Sequence, residues 1–167
     1  MSGAPVYVLD TNVLLEAAQR YYAFDIAPSF WEQLLRLAKQ GHILSIDKVK
    51  QELLRGKDEV ATWVKNEFAF ACVSTAEEDV VAYYAAMIAW SQGHTQYNDI
   101  AKAEFAGTDN ADPWVMSFAQ ARDYIVVSEE VAKKDIKRRI PIPNACEELR
   151  IPYMNTFDML RALKVRF

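Results

Sequence analysis

Apolar residues fall along this chain in short blocks separated by longer amphipathic stretches. Val6-Tyr7-Val8-Leu9 is apolar throughout, β-branched and aromatic, and stops abruptly at Asp10. Such a block fits a strand buried on both faces. A helix is predicted from about Asn12 to Tyr21. Ser29 and Glu32 have the spacing of a capping box, Leu34, Leu35, Leu37 and Ala38 make the apolar stripe that follows, and Gly41 ends the helix. His42 to Ile46 reads as a second strand. Asp47 can cap a helix carrying Val49, Leu53 and Leu54. Arg55-Gly56-Lys57-Asp58 is a turn, and Val60 to Glu67 a further helix. Phe70 to Val73 reads as a short strand. Thr75 with Glu78 opens a long helix to about Gln92, and Gly93 to Asn98 is a loop. Asp112 before Pro113 is a natural N-cap for a helix through Val115, Met116, Phe118 and Ala119. Tyr124 to Val127 is another buried strand, stopping at Ser128-Glu129-Glu130. Asn144 with Glu147 marks a short capped helix, a strand lies near Ile151 to Met154, and a last helix runs from about Thr156 to Leu163.

Strands alternating with helices imply crossover units and a mainly parallel sheet, hence an α/β fold. Ligands of such sheets bind beyond the carboxyl ends of the strands. The length of 167 residues, with no repeat and only 5 Gly and 6 Pro to mark a linker, predicts a single domain over 1–167. A 51% hydrophobic content supports a real core. No apolar run approaches the ~20 residues of a membrane span. The start, Met1 to Pro5, has neither a basic nor an apolar signal region, so the expected location is cytoplasmic. Cys72 and Cys146 alone cannot build a disulfide framework or zinc cluster. His42 and His94 have no metal-ligand spacing. The net charge of −4 argues against a binder of nucleic acid by bulk charge.

The polar residues beyond the strands are acidic. Asp10 follows the first strand, Glu52 lies on the helix after the second, Asp112 heads a helix, and Glu130 lies just past Val127. Like charges ~4 Å apart repel by roughly 1–4 kcal/mol, so a converged cluster must take up protons or bind cations. Oxygen-only donors favour Mg²⁺ or Mn²⁺. Such an ion can activate water and stabilise a leaving oxygen in phosphodiester hydrolysis. Metal ions and a local basic patch would then answer the net-charge objection. Lys133, Lys134, Lys137, Arg138 and Arg139 form one such patch, readable either as RNA contacts or as a solvated helix face. Lys48, Lys50, Arg55 and Lys57 flank Glu52. The aromatic residues sit at core-like spacings.

These residues carry a resemblance. Val8-Leu9-Asp10-Thr11-Asn12 resembles the opening motif of PIN-domain ribonucleases, and Val49-Lys50-Gln51-Glu52-Leu53 their second. Ala111-Asp112-Pro113-Trp114-Val115 is similar to the third, and Val126-Val127-Ser128-Glu129-Glu130 to the fourth, with Glu where Asp is usual. The tail Ile142 to Leu149 resembles a PIN-like subfamily of small prokaryotic proteins regarded as toxins of toxin–antitoxin pairs. The resemblance implies a three-layer α/β/α sandwich and a Mg²⁺- or Mn²⁺-dependent endoribonuclease using a metal-activated water. It also implies a cognate antitoxin and a homodimer. Asp10 and Asp112 would be direct ligands, with Glu52 and Glu130 completing the cup.

Around them, Thr11 and Asn12 would orient the Asp10 carboxylate. Ser128 would be a supporting hydroxyl. Asp109 is either a further ligand or a turn residue, and either Glu129 or Glu130 is the fourth acid. Two rivals stand beside this reading. An Asp-nucleophile phosphatase resembling haloacid dehalogenase-type enzymes wants a second Asp where this chain has Asn12. A catalytically degenerate PIN-like module would bind RNA or protein without cutting.

Overall fold

The computed structural model describes residues 3–167. Its centre is a five-stranded sheet: β1 (Tyr7–Leu9), β2 (Ile43–Ile46), β3 (Cys72–Val73), β4 (Ile125–Val127) and β5 (Tyr153–Met154). The strand order is β3-β2-β1-β4-β5 and every pairing is parallel. β1 is buried along its whole length because it is central and covered on both faces. Helices clothe the sheet as the outer layers of an α/β/α sandwich. No helix among the described residues is long and apolar enough to cross a membrane.

α1 (Thr11–Glu16) follows β1 and continues into a π-helical turn over Ala17–Tyr21. α2 (Pro28–Lys39) buries Phe30, Trp31, Leu34 and Leu37. Pro28 occupies its first position, so Ser29 lies inside the helix rather than capping it. α3 (Asp47–Arg55) leads to α4 (Glu59–Trp63) and a second π-helical turn, Val64–Phe68. Asp47 does not cap α3. It is the first helical residue, and its carboxylate accepts from the Thr75 hydroxyl at 2.9 Å, tying β2 to the segment after β3. Thr75, so engaged, does not open α5 (Glu78–Gly93), whose N-cap is Glu77. The strand expected over residues 70–73 is only Cys72–Val73.

Two stretches depart from the sequence pattern more sharply. α6 (Asp99–Phe105) lies where no element is predicted, with the Asn98 side chain accepting from the Ala101 amide as its N-cap. α7 (Asp112–Arg122) packs along α5 and against β1. The basic run then forms no helix. From Ser128 to α8 (Ile142–Leu149) the chain is a loop, closed by the Asn144 amide gripping both backbone groups of Lys133 at 2.8 Å. Gln96 donates to the Lys134 and Ile136 carbonyls on the same loop. α9 (Thr156–Ala162) closes the described fold, with Asn155 as its N-cap.

The chain runs outward from β1 to β2 and β3, then returns to place β4 on the other side of β1. Between β1 and β4 the connections therefore leave in opposite directions. A crevice opens at that point beyond the carboxyl ends of the strands.

Candidate active site

Asp10 leaves β1 at this crevice. Its amide donates to Val127 O at 3.0 Å, continuing the β1–β4 ladder by one residue. Its side chain is then turned back as the N-cap of α1, where Oδ1 accepts the Thr11 amide at 2.8 Å. The Ser128 hydroxyl, one residue beyond β4, donates to Oδ2 at 3.2 Å. Beneath, the buried Ser45 hydroxyl on β2 satisfies Leu9 O at 2.7 Å. Asp10 is 1% exposed, so its carboxylate sits in a fixed, dry position.

Asp112 comes from the opposite side. It is the first residue of α7 rather than its N-cap, which is Ala111. The loop before it is held from two directions. Glu52 on α3 accepts the Ala111 amide at 2.6 Å, and the Asn110 side chain accepts the Asp112 amide at 3.0 Å. Glu130 is placed by the turn after β4, its amide donating to Ser128 Oγ at 3.2 Å. One carboxylate oxygen each from Asp10, Asp112 and Glu130 lies within 4.8 Å of the others.

Burial and repulsion show in the acidities. Asp10 is raised well above the ordinary carboxylate range, first by burial, then by the charges of Asp112 and Glu130, against the opposing Thr11 amide. Asp112 is raised to about 7, by burial and then by Glu130, with Arg139 pulling the other way. The three donors are all carboxylate oxygens, near enough to share one ion, and a divalent cation relieves the repulsion that raises Asp10 and Asp112. The buried Thr11 hydroxyl beside Asp10 has no hydrogen-bond partner among the described residues. The arrangement fits a divalent cation.

Other expected residues lie differently. Glu52 stands beside the cluster, with one carboxylate oxygen on the Ala111 amide and its charge also raising Asp10 and Asp112, while the oxygens that lie within 4.8 Å of one another are those of Asp10, Asp112 and Glu130. Glu129 turns away from its neighbour Glu130. Its carboxylate takes the Thr156 hydroxyl, and the Thr156 amide at 3.1 Å, at the start of α9. Asp109 has a side chain 87% exposed and pairs with Arg55 at 3.7 Å, outside the cluster. Thr11 holds Asp10 through its backbone and not its hydroxyl. The Asn12 side chain accepts the Glu129 amide at 3.0 Å, so it fixes the turn after β4 rather than the Asp10 carboxylate. Lys133, Lys134, Lys137 and Arg138 are exposed on the loop beside the cup.

A family model described as a domain of unknown function, DUF4411, matches residues 7–167. The chain belongs to the DUF4411 family. The comparison with curated proteins finds no match for it. Among solved structures, this DUF4411 protein is similar to VapBC2 of Rickettsia felis bound to a DNA fragment from their promoter. There the identity is 20%, the match covers 90% of this chain and 98% of that one, and the TM-score is 0.52. It is also similar to FitAcB of Neisseria gonorrhoeae, with 15% identity, coverage of 91% and 99%, and a TM-score of 0.55. At these identities the likeness is one of fold, and the DUF4411 protein has the PIN-like fold.

One residue of the DUF4411 site has a place the sequence did not give it. Arg139, read with the basic run, turns inward and meets Glu130, Asp112 and Glu104. Its neighbours stay in solvent. The available signal was position: Arg139 is the last cation before the buried Ile140 and Pro141, where the loop returns to the core.

Proposed function

We propose that this protein is a divalent-metal-dependent endoribonuclease and the toxin half of a toxin–antitoxin pair. The observation that carries the reading is the meeting of Asp10, Asp112 and Glu130 at the switch between β1 and β4. These three would hold Mg²⁺ or Mn²⁺, and Glu52 would keep the Asp112 loop in place. The ion, when bound, supplies Lewis acidity at the phosphodiester and lowers the pKa of water.

The chain's own residues do the positioning. The Thr11 amide and Ser128 hydroxyl fix both oxygens of Asp10, so the carboxylate is ordered before any ligand arrives. Lys133, Lys134, Lys137 and Arg138 would contact RNA phosphates without reading sequence. The PIN-like fold, and the likeness of the α8 segment to the toxin subfamily, support a cognate antitoxin as partner.

A non-catalytic binding module draws on one observation: Arg139 already faces two of the three carboxylates. Calorimetric titration with Mn²⁺, beside RNA cleavage with and without Mn²⁺, separates the two readings. The parent should bind the ion and cut RNA. Asp10→Asn and Asp112→Asn should each lower cleavage about a hundredfold or more, the scale of losing one fixed transition-state contact. Equal cleavage by parent and variants overturns the nuclease; ion binding without cleavage assigns the binding module.

A further inference from the structure

Arg139 is the one cation within reach of the acidic cup through side-chain ion pairs among the described residues. Each of its guanidinium nitrogens faces a different acid. Nη1 lies 2.5 Å from Glu130 Oε1, Nη2 3.6 Å from Asp112 Oδ2, and Nε 3.6 Å from Glu104 Oε1. The three acids come from the turn after β4, the start of α7 and the end of α6, so the contact is built by the fold and not by sequence proximity. Glu130 and Asp112 also belong to the trio whose oxygens lie within 4.8 Å, whereas Asp10 is left to its Thr11 and Ser128 partners.

We propose that Arg139 is a built-in counter-cation of the cup, which a divalent ion must displace from Glu130 and Asp112 in order to bind. The inference rests on the metal-site reading above. A guanidinium cannot shed its charge to make room, since it stays protonated in proteins. A divalent ion sharing Glu130 and Asp112 would stand within a few ångströms of it, and like charges at that range repel even through water. The side chain must therefore swing out. It is able to, being 43% exposed and carried on a loop whose neighbouring residues Lys137 and Arg138 lie in solvent. Without an ion, the same contacts offset the repulsion among the acids. Arg139 so sets the concentration of divalent ion at which the cup fills.

The test is Mn²⁺ calorimetry on the full chain, with melting in chelator as the second readout. Arg139→Gln keeps a polar, hydrogen-bonding side chain, shorter than that of Arg, and loses the charge. It should bind Mn²⁺ about tenfold more tightly than the parent, about 1.4 kcal/mol, and melt lower when metal-free. Arg139→Lys keeps the charge but cannot span three acids. It should fall between the two in affinity, and it carries the test if the Gln variant fails to fold. Unchanged or weaker Mn²⁺ binding in these variants, with the parent binding normally, overturns this inference alone. No Mn²⁺ binding by parent or variants at millimolar ion overturns the metal site and this inference together.

Discussion

Asp112→Asn should make the metal-free protein more stable at pH 8, although it removes a residue of the proposed site. The folded state raises the Asp112 carboxyl from 3.8 to about 7, through burial and the charge of Glu130. Each pKa unit corresponds to 1.36 kcal/mol, so keeping Asp112 ionised at pH 8 destabilises the fold by at most about 4 kcal/mol. The pull of Arg139, 3.6 Å away, is already contained in that shift. The favourable contact of the charge with the first turn of the helix, about 0.3–1 kcal/mol, is lost with it. Repulsion and burial win by at most about 3 kcal/mol. For a domain of this size that is a rise of up to about 6–12 °C in melting temperature.

The pH dependence follows from the same shift. Between 3.8 and about 7 the folded state holds a proton on Asp112 that the unfolded chain releases. Parent stability therefore falls as pH rises through that window. Neutralising the charge by moving from pH 8 to pH 6 should raise the parent melt in chelator, and Asp112→Asn should flatten the trend. With Mn²⁺ present the order should invert, because only the parent gains the binding free energy of an intact cup. Scanning calorimetry in chelator at pH 6 and 8 decides the matter. A variant melting below the parent at pH 8 would show that Asp112 is a settled partner of Arg139 and the helix, and would refute the account of a strained acid.

The remaining predictions concern neighbours that the fold treats differently. Glu129→Ala should cost about 1–2 kcal/mol, the worth of a helix-start contact, by freeing Thr156, while leaving Mn²⁺ affinity unchanged. Glu130→Gln should do the reverse, weakening Mn²⁺ binding at least about tenfold with little loss of stability; urea melts and ion titrations of both variants check the pair. Both thiols should resist a disulfide reagent at pH 8 in the native protein and react once it is unfolded in urea. Burial pushes Cys72 up to about 12 and raises Cys146 as well, so neither offers a thiolate.

The strands were legible because a buried parallel strand is apolar on both faces and must end where the chain meets water. Asp10 and Ser128 mark those stops, and both stand where the sequence put them, at the carboxyl ends of adjacent strands. The division of labour between Glu129 and Glu130 was not legible. Two adjacent acids in an irregular turn carry no periodicity, and only the packing of α9 claims one of them. The basic run misled for a related reason. Charges at three- and four-residue intervals look like a helix face, but Gln96, Asn98 and Asn144 take up the backbone groups of this segment and hold it as a loop. Asn98 is also a sequence signal for α6, an N-cap residue followed by a seven-residue helix in which only Ala101 and Phe105 are buried. Thr11 and Asn12 stand beside Asp10 in sequence, yet only the Thr11 backbone amide holds its carboxylate: the Thr11 hydroxyl has no hydrogen-bond partner among the described residues, and the Asn12 side chain takes the Glu129 amide.

The pairing of β1 with β4 joins Leu9 to Val127, across most of the chain. Until that pairing forms, Asp10 and Glu130 are far apart and their mutual repulsion is negligible. The acids therefore do not obstruct the search for the fold, and an ion has nothing to gather in the nascent chain. An ion bound by the cup would be added to a finished architecture, and would act as a lock on the native state while leaving the route to that state alone.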